Sequence, residues 1–176
     1  MKRRADHRLL KSLLAGAIGG LVASWTMNQF QFGLQKLEQS WKKSAHQPPQ
    51  PEQKQSDADE DATMKTADRL FLLVNNRHLS KEEKKTAGPV VHYMYGTVLG
   101  GIYGLLAEFV PVSKVGFGTG YASAAWFFGD EIAVPVMGLA GSPWDYPLSS
   151  HAKALASHVV YGATTEAVRK AVRAMN

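Results

Sequence analysis

The chain has no cysteine. Disulfides and thiolate chemistry are therefore excluded, and cysteine usage says nothing about the redox compartment. The common catalytic signatures are missing as well: there is no HExxH, no GxSxG and no ExxH pair of a carboxylate-bridged metal site. Zinc-finger, phosphate-loop and RNA-recognition motifs are also absent. The formal charge of +5 comes from basic residues gathered at the two chain ends, which suit membrane flanks better than a nucleic-acid surface. These absences point away from an enzyme, a metal site, a cofactor and a nucleic-acid partner. Lys and Arg are also missing from two internal stretches, residues 90–110 and 141–150.

The first of these stretches, VVHYMYGTVLGGIYGLLAEFV, has the roughly 20 residues that an α-helix needs to cross a bilayer core. On a helix, His92, Gly96, Gly100, Gly104 and Glu108 share one face, because residues four apart stack. Glycines at this spacing admit a neighbouring helix at close range. Each end of the groove carries an ionisable group, and such groups inside a membrane are costly and often functional.

The rest of the chain divides around it. Residues 1–8 are a basic head, expected in the cytoplasm. A first membrane helix is expected over 9–30, with Gly16, Gly20 and Ser24 on a close-packing face and Trp25 at an interface. A cleaved signal peptide is the competing reading, but the apolar run passes any cut site near Ser24 into Trp25 and Met27. Residues 31–62 read as a polar mobile linker, and 42–60 in particular have too little apolar surface to offset chain entropy. Residues 63–88 read as an amphipathic and charged helical segment. Met64, Phe71 and Val74 are expected on the buried face of a helix over 63–75 that lies on the membrane surface or on the bundle. Ser80 and Glu83 form a capping box. It is expected to open a short helix ending at Gly88, with Pro89 in the first turn of the next one.

Residues 89–172 carry three further spans, at about 90–110, 116–138 and 151–172. The third span of the chain contains adjacent Asp130 and Glu131, and Pro135 predicts a kink because it cannot donate to the Glu131 carbonyl. The last span is the least apolar and could alternatively be a soluble amphipathic helix. His158, Gly162 and Glu166 line one of its faces, and Glu166 is positioned for surface ion pairs with Arg169 and Lys170. The distribution of Lys and Arg puts both ends of a four-span bundle in the cytoplasm.

From His92 onward the chain resembles the YagU-like bacterial inner-membrane proteins. The resemblance rests on VHYMYG, AEFVP, PVMGL and SHVVYGATTEAVRKAVR, in that order. It implies a multi-pass inner-membrane protein and brings no established catalytic residues.

The fold expected is thus all-α, an integral membrane bundle of four helices with a polar insert after the first. Chemistry selects Asp130, Glu131 and His158 as a polar cluster on the periplasmic side of the midplane, about 4 to 6 Å from it. Glu108 and Arg169, about 12 Å to the other side, form an interfacial pair. His92 and Glu166 are additional candidates, and Gly96, Gly100, Gly104 and Gly162 serve helix packing. Two functions fit: handling of protons or small ions through these groups, or a structural, partner-binding subunit in which they only pair helices. The expected partners are membrane lipid and, as an open option, further copies of the chain.

Overall fold

The computed structural model describes residues 2–44 and 60–175. Among the described residues there is no strand, so the fold is all-helical. Helix α1, Lys2–Ser44, is one uninterrupted run of 43 residues. It continues 14 residues past the expected end of the first span, where a linker was anticipated from polarity. Gln, Lys, Glu and Leu are good helix formers, so polarity alone does not unwind this stretch. Glu38 also pairs with Lys153 at 2.5 Å. Of the segment expected to lack structure, 42–44 are helical and 45–59 lie outside the described residues.

Helix α2, Ala62–Asn75, starts where Asp61 accepts the Met64 N–H at 2.8 Å and stops at Asn76 in the left-handed region. Its buried residues are Ala67 and Asp68. Val74, expected to be buried, is 83% exposed and points away from the bundle. Met64 and Phe71 are half-buried. Helix α3, Lys81–Phe109, opens on the expected capping box, Ser80 with Glu83. The helix does not stop at Gly88; Pro89 lies inside it. Proline already has a helical φ, so the interruption costs one backbone hydrogen bond at Lys85 and leaves the axis continuous. Gly88 is instead a packing position. A Cβ there would lie 2.8 Å from the Met64 side chain, so α2 rests directly on it.

The link between α2 and α3 is tied by one carboxylate. Asp68 accepts from the Leu79 N–H at 2.7 Å, bonds the His78 ring at 2.8 Å and meets the Lys84 ammonium at 3.5 Å. Lys84 in turn pairs with Glu60 at 2.9 Å.

A 3-10 turn, Pro111–Lys114, leads to helix α4, Thr119–Trp126, through Gly116, Phe117 and Gly118, all at positive φ. Helix α4 passes into a π-helical segment, Phe127–Ala133, and then a single α turn, α5, Val134–Val136. The kink expected from Pro135 takes this form. The Val134 N–H reaches back five residues to the Gly129 carbonyl, which widens the helix just ahead of the proline. Arg69 of α2 donates to the Met137 and Gly138 carbonyls at 2.6 and 3.2 Å and so satisfies the end of this rod. Helix α6, Leu148–Ala174, completes the chain.

The four long elements run alternately up and down. Gly16 of α1 lies against Gly100 and Gly104 of α3, and Gly20 lies against Gly96 and Gly100, so this pair is antiparallel. A Cβ on Gly100 would stand 2.6 Å from the Gly20 Cα, and one on Gly20 would stand 2.8 Å from the Gly100 Cα. The backbones themselves touch. On its other side α1 meets α6, where Gly19 faces the Thr165 carbonyl. Gly162 of α6 faces Gly118 and Ala122 of α4. The contacts of Gly16, Gly20, Gly96, Gly100 and Gly104 follow the small-residue spacing, whereas Gly19 was not foreseen and the third span packs through Gly118 and Ala122 rather than the Gly116, Gly120 and Ala124 face that its spacing suggests.

The core therefore holds small and polar groups: Ala15, Ala23, Ala122, Ser12, Ser24, Ser157 and Thr165 are buried. Large aliphatic and aromatic residues, among them Leu14, Ile18, Leu21, Val98, Phe109 and Phe128, face outward. Water does not stabilise such a distribution, whereas packing against hydrocarbon does. Among the described residues two helices are long and apolar enough to cross a membrane, α1 over His7–Trp41 and α3 over Lys81–Phe109. The α4–α5 rod is broken into short pieces, and α6 carries seven ionisable groups including both of its histidines.

Two tests follow from the packing and the α2–α3 link. Gly100→Ala should destabilise the bundle by about 2 to 3 kcal/mol through overpacking, read by thermal unfolding in detergent. Gly33→Ala, where nothing lies within 4 Å of the new Cβ, should be neutral or gain up to about 1 kcal/mol. For Asp68, burial acts to raise its pKa, but the His78 and Leu79 hydrogen bonds and the Lys84 charge outweigh it and hold the carboxyl below its ordinary range. A depressed pKa stabilises the folded link above the ordinary carboxylate pKa of about 4, and this contribution is lost as pH falls through the folded value. Protection factors of the α2 amides, taken relative to the intrinsic exchange rate at each pH, should fall on acidification below about pH 4 in the native chain, and those of Asp68→Asn should already be low at pH 7.

Candidate functional site

Polar side chains gather at two levels of the bundle. At the lower end, where α1 begins and α6 finishes, Glu166 is 1% exposed and Arg169 is 7% exposed. Arg169 donates from Nε to Glu166 Oε2 at 2.6 Å and from Nη2 to Oε1 at 3.0 Å, and the Tyr103 hydroxyl adds a bond to Oε2 at 2.9 Å. Lys170 stands 3.6 Å from the same carboxylate. The ion pair expected on the helix surface is thus a core contact, because α1 and α4 pack against α6 and Tyr103 of α3 reaches the carboxylate.

Glu108 binds different partners from the one expected. Arg173 donates to its Oε2 at 2.7 Å, Ser12 donates to the same oxygen at 3.0 Å, and Arg8 donates to Oε1. The Glu108–Arg169 pair is therefore replaced by Glu108–Arg173, one helical turn further along α6, while Arg169 turns to Glu166. The depth reasoning located the right level and missed the register by four residues. Arg8 and Arg173 had no pattern to mark them beyond their place in the basic ends.

The upper level lies around the π-helical segment. His158 Nε2 is 3.6 Å from Asp130 Oδ2, an ion-pair contact slightly too long for a direct hydrogen bond. The Nδ1 of His158 bonds the Ala154 carbonyl at 2.9 Å, which leaves Nε2 facing the carboxylate. Glu131 goes elsewhere: its Oε1 meets His151 Nδ1 at 2.7 Å, and His151 Nε2 bonds the Pro143 carbonyl at 3.0 Å. Adjacent helical residues point in different directions, so the two carboxylates are shared between two histidines rather than focused on one. His151 was not singled out beforehand, yet it lies seven residues before His158, two turns along the same face of α6.

His92 of α3 joins this group. It is within electrostatic reach of both His158 and Asp130. Its Nε2 is buried and has no hydrogen-bond partner among the described residues, and the Trp126 indole N–H shares that condition. A cavity of about 160 Å³ adjoins the cluster and is lined by Asp130, Glu131, Pro135, Tyr146, Ser150 and His151. Among the described residues no group of three His, Asp or Glu converges closely enough to hold a metal ion.

Between the two levels the tyrosines end in backbone. Tyr161 donates to the Gly96 carbonyl at 2.6 Å and Tyr121 to the Leu99 carbonyl at 2.9 Å. These bonds brace α3 where it has no side chains of its own to offer. Among the described residues these bonds do not continue as a hydrogen-bonded chain, and the cavity beside Asp130 and Glu131 borders the connection at Gly141, Pro143 and Tyr146.

Residues 43–167 match the family described as a protein of unknown function, DUF1440, and the chain belongs to that family. The matched region includes His92, Glu108, Asp130, Glu131, His151, His158 and Glu166, and leaves Arg8, Arg169 and Arg173 outside it. No curated protein and no solved structure gives a significant match.

The buried pair predicts a non-additive response. Arg169→Met should cost about 3 to 5 kcal/mol, because it strands the Glu166 carboxylate in the core. Adding Glu166→Leu should recover most of that loss, since an apolar pair of similar volume needs no compensation. Unfolding of the single and double variants in detergent, treated as a double-mutant cycle, measures this coupling.

Proposed function

We propose that this member of the family is a YagU-like, multi-pass protein of a bacterial inner membrane that binds and releases protons at His92, Asp130 and His158. Four spans are inferred, with α4–α5 and α6 as the third and fourth and both chain ends in the cytoplasm. Support for this comes from the outward apolar faces of Phe127, Phe128, Ile132 and Val159 and from the basic lower end.

The observation that carries the proton reading is the unfinished chemistry of the upper cluster. Asp130 and His158 are close enough to share a proton after a small motion, and neither is locked by a short bond to the other. The neighbouring His92 nitrogen is buried without a partner among the described residues. An imidazole can hold a proton on either ring nitrogen, and a carboxylate facing it can take that proton, so the His158–Asp130 pair has the donor and the acceptor that a transfer needs. The π-helical segment that carries Asp130 supplies a strained element of the kind found at functional sites and able to shift register. The cavity beside Asp130 and Glu131 suits alternating exposure rather than an open channel.

A second reading, a structural subunit that docks partner proteins, draws on the lower network, where Glu166 and Glu108 are fully paired and serve packing. The two readings separate on one experiment. In liposomes containing the purified chain, a pH jump across the bilayer should be dissipated. Asp130→Asn and His158→Gln should each slow that dissipation by about tenfold or more, the scale of losing a positioned proton carrier. Their melting temperatures should stay near that of the native chain. Loss of stability with no native flux would favour the structural reading.

A further inference from the structure

The arginines at the lower end are held in a way that pairing alone does not require. Glu108 is almost wholly buried as a side chain, at 7%, and receives both Arg8 and Arg173. Two cations on one carboxylate leave a net positive charge, and the cations are the exposed partners: the Arg8 side chain is 69% accessible and that of Arg173 is 32% accessible. Arg8 engages through Nε and Arg173 through Nη1. Each guanidinium carries N–H groups beyond the one that bonds Glu108. Ser12 sits between them and is bonded to both Glu108 and Arg173.

The surroundings add charge of one sign. Lys11 is exposed one turn from Arg8 on α1. Lys170 is exposed one turn before Arg173, with its ammonium 4.5 Å above the Phe117 ring. The other acid at this level, Glu166, is buried and already bound to Arg169 and Tyr103. Exposed apolar residues share this rim: Phe109, the last residue of α3, and Val112, Val115 and Phe117 in the turn that follows it.

We infer that Arg8 and Arg173, cross-braced on Glu108, bind the phosphodiester of an anionic phospholipid whose glycerol and first methylenes lie against Phe109 and Phe117. Guanidinium edges match phosphate oxygens in paired hydrogen bonds, and two of them meet at one point of the rim. A soluble phosphate would find the same donors but would leave the apolar rim beneath them uncovered. The site ties the two ends of the chain, α1 and α6, to the same headgroup, so lipid binding and closure of the lower end are one event. This inference rests on the membrane reading given above.

The test uses the full chain in detergent with added phosphatidylglycerol, phosphatidylcholine or glycerol phosphate, followed by native mass spectrometry and thermal unfolding. The native protein should retain phosphatidylglycerol about tenfold or more over phosphatidylcholine, as expected for two basic contacts. Arg8→Gln combined with Arg173→Gln should bring the two lipids to near parity, with helix content checked by circular dichroism. Lys11→Gln combined with Lys170→Gln, which leaves the brace intact, should reduce the preference by about threefold. Glu108→Gln should keep or raise it, because it frees both guanidiniums. Equal retention by the native protein, an unchanged preference in the double arginine variant, loss of preference in Glu108→Gln, or equal stabilisation by glycerol phosphate would each overturn the inference. Release of the native chain from membranes by alkaline carbonate would remove the membrane reading, and this inference with it. A membrane-retained chain with no headgroup preference overturns the inference alone.

Discussion

Everything else in this structure is positioned by the backbone contact between α1 and α3. Gly16 and Gly20 meet Gly96, Gly100 and Gly104 with no side chain between them, which leaves van der Waals packing as the attraction and allows a single register. A shift by one residue would bring a side chain such as Leu21, Leu99 or Ile102 into the groove. That register brings Glu108 to Ser12 and Arg8 at one end and Asn28 to Tyr93 at the other, the latter at 3.3 Å. It also bares the α3 carbonyls at Gly96 and Leu99, which Tyr161 and Tyr121 then occupy. Helices α6 and α4 are therefore fastened to a part of α3 that glycine has cleared.

The same contact explains why charges can sit in the core. A helix pair packed through glycine occupies little volume, so the outer helices come close enough for Tyr103, Glu166 and Arg169 to be enclosed together. An enclosed carboxylate without its arginine would be costly, and the bidentate geometry with the tyrosine hydroxyl satisfies it. The lower end is thus expensive to assemble and stable once assembled, and its polar groups are spent on one another.

How far the sequence disclosed this depends on whether a feature is set by local pattern or by register between helices. Small residues four apart on α1 and α3 are a local pattern, and both faces pack as their spacing suggested, while the third span packs through Gly118 and Ala122 rather than Gly116, Gly120 and Ala124. The Ser80–Glu83 capping box and the disturbance ahead of Pro135 are likewise local. The boundaries were less legible. Polarity after Phe30 looked like a linker, but helix propensity and the contact of Glu38 with Lys153 carry α1 on to Ser44. Gly88 and Pro89 looked like a break, but α2 packs on Gly88 and the proline stays within a continuous helix. Partner choice was the least legible. Glu108 selects Arg173 over Arg169, and Glu131 selects His151, because a helix offers a similar residue every turn and only tertiary register decides between them.

The two polar levels differ in a way that bears on what each can do. At the lower level every carboxylate oxygen has a donor within hydrogen-bond distance, and no acid there is left to exchange a proton without breaking an ion pair. At the upper level the Asp130–His158 contact stops at 3.6 Å, a His92 nitrogen is buried with no partner among the described residues, and the helix carrying Asp130 has left its α-helical register. Uniform selection for stability would have closed such gaps with apolar groups, since removing both members of a buried polar pair is often neutral or favourable. These groups lie beside a cavity on a π-helical segment, whereas the carboxylates of the lower level are closed on donors within the bundle.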